Sequence, residues 1–205
     1  MRGAAAGHYE VVKALLPTHP DVNALNSRGP SALSLAVGNG HYDVAKLLLE
    51  HEGINMDQTD HKSCTLLIHA MEGGNPDMIR LLFAHSNVKV NHQDKNGRTA
   101  LSYAAENGHV AAIEVLQELR RKQLDGGLEN DHGHSPLQYA AQNGHVEAVR
   151  ILRNLAFLLF FSRGSKLRCK GYLRDSNLLD NHLLSGPRRG VASDAFVGLN
   201  SALFS

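Results

Sequence analysis

His and Cys are the residues in this 205-residue chain with the most reactive side chains; there are thirteen of the first and two of the second. His132-x-His134, taken with His61, has the donor type for zinc, but no Cys or carboxylate completes a tetrahedral set. Cys64 with a nearby His would have the makings of a nucleophile and base. Its position just before a helix reads as exposed, and no third group is placed to orient a base. Asp125-Gly126-Gly127 and Gly73-Gly74 are short for phosphate loops and read as a loop and a helix stop. There is no G-x-x-x-x-G-K-[ST], no H-E-x-x-H and no G-x-S-x-G. The expectation is a chain that is not an enzyme and holds no cofactor or metal.

The elements that carry these residues recur. Gly7, Gly40, Gly74, Gly108 and Gly144 stand 33, 34, 34 and 36 residues apart. His follows in four cases (His8, His41, His109, His145) and Asn75 in the fifth. A period of this size predicts an array of small units rather than one core.

Each unit reads as two helices. Ser31, Thr65, Thr99 and Ser135 offer a hydroxyl N-cap, and Ser135 with Gln138 has capping-box spacing. Pro136 stands at the first helical position, where its missing N–H costs little. The first helices carry Leu33, Leu67, Leu101 and Leu137, then Ala36, Ala70, Ala104 and Ala140, small enough for close helix approach. Asn-Gly or Gly-Gly stops them, with glycine taking a left-handed C′ conformation. Second helices carry apolar stripes such as Val44/Leu47/Leu48 and Ile113/Val115/Leu116. In the third unit Asn75-Pro76-Asp77 supplies a cap, a first-turn Pro and a first-turn acid. Asn26, Asp60, Asp94 and Asn130 occupy a loop position suited to capping a turn. His69 takes a position apolar in the second unit and reads as a partly buried, satisfied histidine. A lone unit cannot bury its stripe, so stacking supplies the stability.

The segments SALSLA, TLLIHA, TALSYA and SPLQYA, each followed by Gly-His or Gly-Asn, resemble the T-P-L-H-x-A signature of the ankyrin repeat, whose period is about 33 residues. The resemblance covers roughly residues 4–153. It implies an all-α solenoid of stacked helix-turn-helix repeats with projecting loops or β-hairpin turns. The units are expected at 1–26 (partial), 27–60, 61–94, 95–130 and 131–153 (truncated), with a non-repeat tail at 154–205. The start inside a repeat reads as a piece of a longer array or a late start. The apolar run 155–161 extends the last helix over the open end, or begins an unrelated segment without regular structure. As a membrane anchor it is far short of the ~20 residues required.

By the same resemblance, loop tips and first-helix faces form the partner surface. The free positions are Arg28, Pro30, His61, Lys62, Lys95, Asn96, Arg98, Glu106, Asn107, His132, His134, Gln142 and Asn143, with Ser27, Cys64, Glu72 and Asp131 beside them. Basic tips and acids further along the helices predict a protein partner with acidic or amide side chains. Net charge is +1, which gives no global pull on nucleic acid or a membrane, and no small-molecule substrate is expected. Arg120-Arg121-Lys122 suits a helix C-terminus or a nuclear address. Two Cys in unlike contexts and no apolar leader in MRGAAAGHYE predict the cytoplasm, with the nucleus as alternative. The functional expectation is a non-catalytic interaction scaffold. Its alternatives are a regulatory segment of a larger enzyme and a non-functional fragment.

Overall fold

The computed structural model describes residues 1–18, 20–27, 29–85, 88–120 and 123–163, with backbone alone for 120 and 156–163. The described residues form ten α-helices in five pairs: α1 Arg2–Ala5 with α2 Tyr9–Leu15, α3 Ala32–Gly38 with α4 Tyr42–Leu49, α5 Leu66–Gly73 with α6 Pro76–His85, α7 Ala100–Glu106 with α8 Val110–Arg120, and α9 Pro136–Gln142 with α10 Val146–Arg163. The hydroxyl caps start the first helices of units 2 to 5 as expected. Ser31, Thr65, Thr99 and Ser135 each accept from the backbone N–H three residues on, at 3.2–3.3 Å. The capping box at Ser135 and Gln138 forms, and Thr99 with Ser102 makes a second. Asn75 Oδ1 accepts from the N–H of Asp77 and Met78, so the substituted third unit keeps its helix start.

First helices stack on first helices (α1, α3, α5, α7, α9) and second on second (α2, α4, α6, α8, α10), so the substantial contacts join neighbours only. Leu33, Leu67, Leu101 and the four alanines are at most 1% exposed and Leu137 is buried. One core runs from Ala4 to Leu155. Burying each such Leu contributes roughly 1.5–3 kcal/mol. This is an all-α repeat solenoid; the hairpin-like loops hold two isolated antiparallel bridges, Leu25–Ser31 and Gln93–Thr99, and no strand among the described residues.

The Gly-His pair has a second task that its spacing did not reveal. The Nε2 of His41, His109 and His145 lies 2.8–3.0 Å from the carbonyl oxygens of Ala5, Glu72 and Glu106 in the preceding unit. These are last-turn carbonyls left open by their own helix. A carbonyl only accepts, so each imidazole carries its proton on Nε2. The same rings cover the preceding unit's glycine. A Cβ added to Gly7, Gly74 or Gly108 would stand 2.5–2.6 Å from them, and each glycine has φ near +70°. Between units 2 and 3 that histidine is Asn75. There Gly38 O comes so near Gly73 that a Cβ would lie 2.4 Å away.

Loops are stapled as well. Asn23 Nδ2 donates to Gly53 O and its Oδ1 accepts from Asn55 N, at 2.8 Å each. Asn91 does the same to Gln123 and Asp125 at 2.7 and 2.9 Å.

The backbone of α10 continues through the run 155–161 to Arg163, and Leu155 is buried. The side chains after it, and the alternatives for 164–205, lie outside the described residues. At the other end Val11 and Leu15 are 50% and 53% exposed, although their register partners Val44 and Leu48 are 1% and 2%. The first helix of unit 1 has only four residues to cover them.

Candidate partner-binding surface

The loop tips form one repeated turn. Asp60, Asp94 and Asn130 each use Oδ1 to accept from the N–H groups two and four residues on, at 2.8–3.0 Å. The backbone closes the same turn from the other side: the Asx N–H donates to the carbonyl four residues on, and the residue three on donates back, in all four units. Gly29, Gly97 and Gly133 take the left-handed position that this turn requires, and Ser63 takes it at φ 62°. Adjacent tips are then joined edge to edge: Lys95 N–H donates to Lys62 O at 3.0 Å, and Asp131 N–H to Asn96 O at 3.1 Å. With these turn amides used inside the array, the side chains between them are left to project.

Beneath the tips lies a polar floor nine residues further on. Tyr103 O–H donates to Asp94 Oδ2 at 2.7 Å, and Asn130 Nδ2 donates to Tyr139 Oη at 2.7 Å. Burial, with Asp94 adding to it, pushes the Tyr103 phenol well above its ordinary pKa, so it remains a donor. In unit 3 the same position is His69, whose Nε2 faces Asp60 Oδ2 at 3.4 Å without a hydrogen bond. Its Nδ1 lies 3.8 Å from Glu72 Oε2. This imidazole holds the Glu72 carboxyl below the usual range. His69 is thus partly buried, as expected, but its buried Nε2 lacks the hydrogen bond expected of a satisfied histidine.

A family model described as ankyrin repeats (3 copies) matches residues 1–94 and 83–157. The chain belongs to the ankyrin-repeat family. A protein of Escherichia coli (strain K12) named as an ankyrin repeat protein, YahD, is 36% identical over 61 residues, 30% of this chain and 30% of that one. The chain therefore matches less than a third of the length of that relative. Ankyrin repeats are generally protein–protein interaction modules and generally non-catalytic. No helix among the described residues is long and apolar enough to cross a membrane.

The ankyrin units distribute the expected contact residues unevenly. His61, Lys62, Lys95, Asn96 and His132 are exposed on the tips, and Asn107, Gln142 and Asn143 at the ends of first helices. Pro30 and His134 are half-buried, His134 edge-on to the Tyr139 ring at 5.7 Å. Arg28 lies outside the described residues. Arg98 does not project as a tip cation. Its guanidinium carbon sits 3.9 Å from the centre of Tyr103 and 4.6 Å from that of Tyr139, and it pairs with Glu106. Units 4 and 5 are joined through it.

Cys64 corrects the sequence reading. It is buried, 5% exposed, rather than on an open face. Burial, then the carboxylates of Asp60 and Asp94, raise its thiol from 9.0 to about 12. A thiol held in that state is a poor nucleophile. Among the described residues no group of three His, Cys, Asp or Glu side chains is placed to hold a metal. Sequence reasoning also missed the Tyr103 and Tyr139 floor. The signal was there, an Asx residue followed nine positions later by a ring-bearing side chain in three successive units.

Proposed function

We propose that this chain is a non-catalytic scaffold that binds a partner protein across the loop tips and the adjoining faces of the first helices. The arrangement of the tips carries this reading. Backbone amides of successive turns are engaged within and between the turns, while His61, Lys62, Lys95, Asn96 and His132 stand exposed in one row. Side chains relieved of folding duties on a rigid frame suit recognition. Family membership supports the same class. Nucleic acid and small-molecule substrates are left out of the reading, since the net charge of +1 supplies no general attraction for polyanions. The buried free thiol of Cys64 suits a reducing compartment, the cytoplasm or the nucleus.

A photo-crosslinking residue at Asn96 tests the reading, with Lys46 on α4 as control. A discrete partner cross-linked from Asn96 and absent from Lys46 is the expected outcome. Equal labelling from both sites, or from neither, refutes it.

A further inference from the structure

The tip row brings two lysines together. Lys95 N–H donates to Lys62 O, so two ammonium-bearing side chains leave adjacent points of neighbouring turns, and both residues are exposed. The acids nearest in sequence, Asp60 and Asp94, do not neutralise them. Each turns Oδ1 into its own tip and Oδ2 toward the floor. Arg98, a further cation among the described residues of this region, is held between two tyrosine rings and paired with Glu106. The next junction along the row is different in kind: Asn96 meets Asp131 there, an amide against an exposed acid.

Like charges on directly neighbouring strands repel. Lys62 lies within electrostatic reach of Glu72, which is itself turned to His69, but neither lysine makes an ion pair within 4 Å among the described residues, so two ammoniums on joined backbones form a place where an incoming anion gains twice. We propose that Lys62 and Lys95 form an anion clamp for a carboxylate side chain of an acidic peptide segment in the partner. The segment runs along the tips, its acid at the lysine pair and a hydrogen-bond donor toward Asp131. The exposed carboxylate of Asp131 disfavours a uniform polyanion such as nucleic acid, whose next phosphate would meet like charge. The clamp deepens the scaffold reading and rests on it.

The test uses the full chain and a fluorescein-labelled dodecapeptide of Glu, Asp and Ser, followed by anisotropy at low and moderate salt. Its Gln/Asn counterpart and a labelled ten-nucleotide oligo-dT are the comparison probes. The acidic peptide is expected to bind and to weaken with salt, with the neutral peptide and the oligonucleotide weaker. Lys62→Glu with Lys95→Glu is expected to lower its affinity at least tenfold, whereas Lys46→Glu leaves it unchanged. The paired Lys→Gln variant, which adds no new charge, should give a smaller loss in the same direction. Unchanged affinity in both double variants overturns the clamp, as does an oligonucleotide that outcompetes the peptide. Persisting cross-links from Asn96 in the double variant would then leave the scaffold reading standing while the clamp falls.

Discussion

Units 3 and 4 share a backbone, an Asx turn and a hydroxyl cap, and differ in several of the other polar ties laid over it. In unit 4 a glycine fills the left-handed tip position, a tyrosine hydroxyl grips the tip's acid, and a histidine reaches back to the preceding helix. In unit 3 these are Ser63 at φ 62°, His69 facing Asp60 without a hydrogen bond, and Asn75 turned to its own helix. Loop staples differ likewise, since Asn91 uses both ends of its side-chain amide and the carboxylate of Asp57 in the matching position has no N–H to give. The apolar positions beneath are equally buried in both units. Stacking thus needs the core of every unit, whereas individual polar ties are dispensable one at a time. That is the behaviour of an array whose stability is a sum over units and neighbours.

The widest gap between the two units lies in the position after the tip glycine, Cys64 against Arg98. Iodoacetamide at pH 8 should label Cys64 at least ~100-fold more slowly in the folded chain than in urea, because a thiol raised to about 12 is almost wholly protonated. Mass spectrometry of the peptide containing residue 64 reads this out. The sign with pH follows: the unfolded thiol ionises near 9.0 and the folded one near 12, so stability declines as pH climbs through that window. Comparable labelling rates would make unit 3 open at its tip.

Shared core positions should not distinguish the units. Leu67→Ala and Leu101→Ala are each expected to cost ~2–5 kcal/mol in urea unfolding. A loss in one unit under half that in the other would break the claim of equal cores. Gly108 and Gly144 separate strain from crowding. Both have φ near +70°, but only at Gly108 would a Cβ strike the next unit's His145 ring, whereas at Gly144 nothing lies within 4 Å. Gly144→Ala should cost about 1–2 kcal/mol for the left-handed backbone alone, and Gly108→Ala at least ~1 kcal/mol more, for overpacking.

Effects of comparable size probe the floor. Tyr103→Phe leaves Asp94 Oδ2 without its donor and is expected to cost ~1–3 kcal/mol. His69→Phe removes no hydrogen bond to Asp60, and its thermal midpoint should move less. The smallest effect has the opposite sign: Ser63→Gly relieves a left-handed serine and should stabilise the chain by about 0.5–1 kcal/mol, net of glycine's greater freedom when unfolded. Destabilisation by Ser63→Gly would show that the serine side chain, not the backbone, holds that turn.

Local chemistry was legible wherever a residue acts within its own unit. The hydroxyl caps, the Asx turns and the Asn75 cap depend on neighbours within about ten residues, and the Leu and Ala positions that stacking buries recur at a fixed place in each unit, so periodicity displays them side by side. The environment of Cys64 was not legible. Its burial comes from packing against the next unit, whose Tyr103 and Asp94 stand 30 or more residues away. Arg98 was misjudged for a related reason: a loop arginine reads as exposed until two tyrosines from successive helices close on it.

By itself, then, the order of residues determined an all-α repeat array, the caps and stops of its first helices, and the Leu and Ala positions that stacking buries, because the pattern of one unit recurs along the chain. Only the stacked structure decided why His follows Gly, which cations stay free, and that Lys62 and Lys95 become neighbours. Contacts between units join positions about 30 or more residues apart, and nothing in the spacing of one unit says which side chain of the next will arrive to meet it.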